Sequence, residues 1–332
     1  LSAIIHGGDL AEAKGLAGGR PVLDLSTGIN PHAYPARASE SALTRLPQRA
    51  ALDTLLAAAR PAYRVPDGAA IAAAPGTQAI LQWLPLIAPA RRVAIVGPTY
   101  QEHEAVWSRH AETVPCASLE EAADAAADTT VVVNPNNPDG RRHTREALAA
   151  FLSRARRADD VAPALIVDEA FADVTPGISV AGLPGTLVLK SFGKFYGLAG
   201  IRLGFAIGAP GLVGRLTEAL GPWAVGGPAL EIGAAALADT AWADAMRARL
   251  DAERQALDAT LTGAGLTPIG GTDLYRLVAT PDAARWHKAL AAEGIWTRAF
   301  PAQPTWLRFG LPGDGLPRLA AALDAVTAGI AS

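Results

Sequence analysis

Ser191-Phe192-Gly193-Lys194-Phe195-Tyr196-Gly197-Leu198-Ala199-Gly200-Ile201-Arg202-Leu203-Gly204 is the stretch on which the reading of this chain turns. The 332 residues hold only four lysines against 25 arginines, so a lysine set among a serine, glycines and an arginine points to chemistry reserved for a primary amine. Arginine stays protonated and forms no Schiff base, whereas a desolvated lysine loses its proton and condenses with an aldehyde. A surface lysine beside a glycine-rich turn would be the plain alternative for a bare Ser-x-x-Lys, and further motifs argue against it.

Composition sets the frame. At 34.1 kDa and 50% hydrophobic residues, the chain can bury a large core and is expected to form two domains. A net charge of −3 gives no electrostatic reason to expect nucleic acid or an anionic membrane as partner. Cys116 is the only cysteine, which rules out an intrachain disulfide framework and suits a reducing compartment. No apolar stretch approaches the ~20 residues that span a bilayer, and no signal-peptide pattern opens the chain. A soluble cytoplasmic protein is expected, with no metal site.

Outward from Lys194, short β-branched or aliphatic runs bounded by Gly, Pro, Asn or Asp occur at Arg92–Val96, Thr130–Val133, Ala164–Val167, Thr186–Leu189 and Ile201–Ile207. Such runs fit strands buried on both faces, and helical stretches such as Arg145–Arg156 between them give the alternation of a mainly parallel α/β sheet. Earlier in the chain, Asp9 to Glu12 reads as a capping box opening a short helix, Val22–Leu25 as extended, and a helix after Pro47 is expected to run to about Ala59, where Pro61 stops it. Ala229–Leu261 reads as long helix interrupted near Asp239–Ala241. The C-terminal part alternates again, with strands at Leu274–Val278, Ile295–Arg298 and Trp306–Phe309, a helix near Asp282–Glu293 and a final helix from Leu316.

Several residues then fall into chemical roles. Asp168 ends the apolar run Leu165-Ile166-Val167, where open α/β sheets place ligand groups. A carboxylate there can keep the pyridine nitrogen of pyridoxal phosphate protonated and so make the ring an electron sink. Gly76-Thr77-Gln78 opens a helix, whose N-terminal amides and dipole suit a phosphate. Ser191 and Arg202 can complete that cradle, Arg202 with a two-pronged grip. Asn134-Pro135-Asn136-Asn137-Pro138-Asp139-Gly140 follows another strand, and its prolines and glycine would by themselves be ordinary turn formers.

Together these motifs resemble the fold-type I pyridoxal-phosphate enzymes of the aspartate aminotransferase superfamily. The resemblance implies a large cofactor domain over residues 36–225 with a mainly parallel central sheet, and a smaller α+β domain from residues 1–35 and 226–332. It implies that Lys194 carries the cofactor, that Asn137 bonds its phenolic oxygen, that Tyr100 stacks on its ring, and that the protein is a homodimer. Two positions depart from the usual pattern. Phe171 stands where many transaminases have a tyrosine, and Leu46-Pro47 stands where related aminotransferases have Tyr-Pro reaching a neighbouring subunit.

Over nearly the whole chain, His6-Gly7-Gly8-Asp9, Leu25-Ser26-Thr27-Gly28-Ile29-Asn30-Pro31, Asp168-Glu169-Ala170-Phe171 and Leu307-Arg308-Phe309-Gly310 resemble the threonine-phosphate decarboxylase family of cobalamin biosynthesis, with histidinol-phosphate aminotransferases as cousins. This implies a small phosphorylated amino acid as substrate, losing CO2 from L-threonine O-3-phosphate to leave (R)-1-amino-2-propanol O-2-phosphate. Arg308 would bind its carboxylate, Arg298 its phosphate, and His6 and Asn30 would add donors, while Lys194, once freed, would return a proton. An aminotransferase uses the same groups, since only the bond held perpendicular to the ring selects the reaction, and it stays open as the alternative. A non-catalytic pyridoxal-phosphate module fused to a DNA-binding domain is the third reading, and with 75 residues ahead of Gly76 it is not expected.

Overall fold

The structure is a computed structural model that describes residues 6–155 and 162–331. Its strands, among the described residues, are β1 (Leu23–Asp24), β2 (Ala70–Ala74), β3 (Arg92–Val96), β4 (Glu112–Cys116), β5 (Thr129–Val133), β6 (Leu165–Asp168), β7 (Thr186–Ser191), β8 (Gly204–Gly208), β9 (Pro268–Thr272), β10 (Tyr275–Ala279), β11 (Ile295–Trp296), β12 (Arg298–Ala299) and β13 (Trp306–Gly310). Within these residues the chain divides into two compact units at 32/33, 137/138, 141/142 and 243/244.

The larger unit is built on a seven-stranded sheet in the order β2-β8-β7-β6-β5-β3-β4. β7, β6, β5, β3 and β4 run parallel, and β8 lies antiparallel to both of its neighbours, β7 and β2. Every residue of β5, β6 and β8 is buried, which is why these strands read as unbroken apolar runs and not as alternations. The helix Thr77–Ile87 packs on the sheet through Ile80, Leu81 and Leu84, at the three- and four-residue spacing of one helix face. Adjacent parallel strands end together. Val133 of β5 pairs with Asp168 of β6, and Asn134 N–H donates to Asp168 O at 2.8 Å, so the Asn-Pro turn leaves the sheet beside the aspartate.

The smaller unit holds a four-stranded antiparallel sheet in the order β12-β13-β10-β9 and a parallel pair, β1 with β11. In it, Arg298 of β12 stands directly opposite Arg308 of β13.

Several sequence expectations shift. The second division falls at 243/244 and not at 225/226, because the helix Gly227–Ala238 packs into the larger unit. A Cβ added at Gly233 would sit 2.5 Å from the Leu203 side chain and 2.8 Å from that of Leu55. Pro61 does not stop its helix, which spans Arg49–Ala62, and Tyr63 N–H still reaches Ala59 O at 2.9 Å. The expected strand Ile201–Ile207 starts only at Gly204, because Arg202 takes a left-handed conformation with φ 52. Ile295–Arg298 is two strands, divided at Thr297, that join different sheets. Asp9 caps through its own turn, Oδ1 accepting from Ala11 N–H at 3.0 Å, and makes no reciprocal box with Glu12. The helix expected over Arg145–Arg156 is observed over Arg145–Arg154, and Arg156 lies outside the described residues.

Candidate active site

In the larger unit, the helix Thr77–Ile87 begins at Gly76, whose φ of +85 a side-chain-bearing residue rarely adopts. A Cβ there would lie 2.7 Å from an Arg202 guanidinium nitrogen, so that arginine is laid against the helix start. Gly204 opens β8 just as close to the same point, and a Cβ on it would be 2.6 Å from Thr77 N. Ser191 is paired with Gly204 across β7 and β8. First-turn amides, a guanidinium and a hydroxyl thus gather at one helix N-terminus, the donor set an anionic phosphate needs.

The Gln78 side chain donates from Nε2 to Glu102 Oε2 at 2.9 Å and accepts from the Tyr100 hydroxyl at 3.3 Å. Burial, with the carboxylates of Glu102 and Asp168 adding to it against the opposing charge of Arg202, raises the Tyr100 phenol to about 12. It therefore stays a protonated donor at neutral pH.

Asp168 sits at the end of β6 with a side chain only 6% exposed. Its Oδ1 accepts from Ala170 N–H at 3.0 Å, and its Oδ2 lies 3.0 Å from His103 Nε2. His103 is fully buried, and its Nδ1 has no hydrogen-bond partner. That arrangement favours the tautomer with the proton on Nε2, donated to the carboxylate, which fixes the orientation of Asp168. His103 is absent from the sequence reading, although it stands three residues beyond Tyr100 on the helix Glu102–Trp107. The Tyr100 and His103 rings meet edge to face at 5.9 Å. The Asn-Pro turn is braced by Asn136, which donates to Pro98 O at 2.9 Å and accepts from the Thr99 hydroxyl at 2.6 Å; Asn137 follows it, half-buried.

Two lysines lie four residues apart with different surroundings. Lys190 is 2% exposed and paired with Glu169 at 2.7 Å and Asp173 at 3.5 Å. Burial pushes its pKa down, but the two carboxylates outweigh this and leave it raised. Lys194, in the short helix Phe192–Phe195, is half-buried, with Nζ 5.7 Å from the centre of the Phe171 ring. Phe171 is thus part of the wall beside the lysine, at the position where many transaminases carry a hydroxyl.

In the smaller unit, Arg308 is 6% exposed, and its Nη2 donates to Ser26 O at 2.6 Å. Burial lowers its pKa to about 10, with the Tyr275 hydroxyl opposing this and the charge of Arg298 adding to it. Burial also lowers Arg298. Two partly desolvated cations at facing register positions make an anion a favourable neighbour. Asn30 is buried, and its Oδ1 accepts from His32 N–H at 2.8 Å, which leaves its amide as the donating end. His6 is exposed, heading the turn Gly7-Gly8, which is seated on Ser26 through Gly8 N–H to Ser26 Oγ at 2.9 Å.

Residues 22–325 match the family model described as aminotransferase class I and II. The chain belongs to the aminotransferase class I and II family. A threonine-phosphate decarboxylase of Sinorhizobium sp. is 45% identical over 96% of this chain and 97% of its own length, and that of Pseudomonas aeruginosa is 42% identical over 88% and 87%. The histidinol-phosphate aminotransferase of Sinorhizobium meliloti, solved in complex with pyridoxal-5'-phosphate, superposes with a TM-score of 0.80 at 20% identity, over 99% of this chain and 96% of that one. The fold is accordingly that of the fold-type I enzymes, and the family's cofactor is pyridoxal phosphate.

The residues present fit that group. A helix N-terminus from which a Cβ is excluded by a guanidinium suits its phosphate, a buried oriented carboxylate suits a pyridinium nitrogen, and a half-buried lysine beside the Phe171 ring suits its aldehyde.

Proposed function

We propose that this protein is a pyridoxal-phosphate-dependent carboxy-lyase that converts L-threonine O-3-phosphate to (R)-1-amino-2-propanol O-2-phosphate. The observation that carries the reading is 45% identity, over nearly the full length of both chains, to an enzyme named threonine-phosphate decarboxylase. A place in cobalamin biosynthesis, in the cytoplasm, goes with that reaction.

In this reading the amides of Gly76, Thr77 and Gln78, with Ser191 and Arg202, hold the cofactor phosphate; Asp168 holds the pyridine nitrogen, Asn137 the phenolic oxygen, Tyr100 the ring face and Lys194 the aldehyde carbon. When bound, the cofactor supplies an electron sink for the pair released as the carboxylate carbon departs. Asp168, fixed by His103 and by Ala170 N–H, keeps its negative charge aimed at one proton. Lys194, which would hold the aldehyde carbon, is also the group that would carry the proton delivered to the substrate α-carbon. Arg308 is assigned to the substrate carboxylate and Arg298 to its phosphate, with His6 and Asn30 as further donors. A pocket built for a dianion leaves buried donors unsatisfied when the phosphate is missing, so free threonine should be a far poorer substrate.

An aminotransferase is the second reading, favoured by the likeness in fold to histidinol-phosphate aminotransferases. The two separate in one assay. Holoenzyme given L-threonine O-3-phosphate alone should release CO2 through many turnovers, whereas an aminotransferase would stop after one turnover and need a 2-oxo acid to continue.

A homodimer is also inferred. Leu43, Leu46 and Trp223 are 70%, 61% and 59% exposed, and large apolar side chains left in water are what an interface covers.

A further inference from the structure

The two candidate substrate arginines share an aromatic neighbour. Arg298 and Phe300 are two residues apart at the end of β12 and so point to the same side, and Arg308, opposite Arg298 in the register, points there too. Arg298 Cζ lies 5.5 Å from the centre of the Phe300 ring, and Arg308 Cζ lies 5.9 Å from the same ring. Arg308 has a second ring, Tyr275, at 5.1 Å on the neighbouring strand β10. Phe300 is itself fixed by the turn that follows it, where its carbonyl accepts from Gln303 N–H at 2.9 Å, and by Trp306, whose ring meets it edge to face at 6.5 Å.

We infer that Phe300 is a positioning residue that holds Arg298 and Arg308 as a paired anion receptor for the phosphorylated substrate. The physical basis is the division of a guanidinium into faces and edges. An aromatic face attracts the cation over its plane, while the N–H donors lie in that plane and stay available to oxygens. One ring serving both cations also brings two like charges together at a cost that its quadrupole partly offsets, and burial lowers the pKa of each arginine in the direction expected for such a pair. A bound dianion would relieve the remainder. Phe300 lies near both cations and so links the two.

This rests on the substrate reading above, so the test has two arms on the holoenzyme: steady-state kinetics with L-threonine O-3-phosphate, and direct titration with inorganic phosphate, which needs no turnover. Phe300→Leu, with Phe300→Met as a second ringless variant, should raise both KM and the phosphate dissociation constant by ~10-fold, with a smaller change in kcat, and Phe300→Tyr should restore both. That factor corresponds to about 1.4 kcal/mol. Unchanged KM and phosphate affinity in both ringless variants would overturn the proposal, as would a Phe300→Tyr protein that melts like the wild type yet binds no better than Phe300→Leu. If the wild type failed to release CO2 but bound phosphate in a ring-dependent way, the substrate reading would fall and the role of Phe300 would stand.

Discussion

Lys190 and Lys194 show how much four residues can change a side chain's chemistry. Lys190 is enclosed by two carboxylates and is kept charged, which makes it a poor nucleophile, whereas Lys194 lies beside the apolar Phe171 ring. Borohydride reduction of the holoenzyme should therefore fix the cofactor on the peptide that contains Lys194, and Lys194→Ala should lose both the adduct and the activity. Recovery of label on Lys190, Lys14 or Lys288 would contradict the assignment. At the other candidate pair, Arg298→Ala should weaken use of the phosphorylated substrate by about 10- to 100-fold while hardly affecting an unphosphorylated analogue, and Arg308→Ala should impair both. Equal losses for the two analogues in Arg298→Ala would move the phosphate site elsewhere.

At the scale of elements, the ends of β6 and β7 matter most, because Asp168 and Ser191 close them. The Lys190–Glu169–Asp173 cluster stands directly behind those ends, with Glu169 also accepting from Val180 N–H at 2.7 Å. Lys190→Met would leave two carboxylates buried without their cation and should destabilise the fold by roughly 3 kcal/mol or more, measured by urea unfolding. The sign of its pH dependence follows from a raised lysine pKa. The stabilisation is fully present below the unfolded value of about 10.4 and is lost as pH rises through the higher folded value, so the difference between wild type and variant should be flat from neutral pH to about 10 and shrink only above it. A difference that vanished near neutral pH would mean that the lysine is not charged in the folded protein.

The same elements show what the sequence made legible. β5, β6 and β7 declared themselves as dense aliphatic runs because both of their faces are covered. β2, Ala-Ile-Ala-Ala-Ala, went unread because alanine has little strand preference and only its place at the sheet edge beside β8 makes it one; β9, with proline and two glycines, gave no pattern at all. Among site candidates, Lys194, Asp168, Gly76 and Arg202 stand out in the sequence because each sits in a fixed local motif. His103 and Phe300 do not, since what matters about them is a partner 65 residues away in one case and a strand pairing in the other.

For the molecule as a whole, sedimentation should show a homodimer, and substituting the exposed Leu46 and Trp223 by charged residues should shift it towards monomer. A wild-type monomer with full activity would remove the dimer from the account. No helix among the described residues is long and apolar enough to cross a membrane. Which bond breaks is decided by incubating the holoenzyme with L-threonine O-3-phosphate labelled in the carboxyl carbon, with and without a 2-oxo acid, while following released CO2 and the amine product. A decarboxylase releases the label as CO2 through many turnovers, independent of the 2-oxo acid, with 1-amino-2-propanol O-2-phosphate accumulating in step, and that is the expected result. Label retained in a 2-oxo product, formed only when an amino acceptor is present, would contradict it.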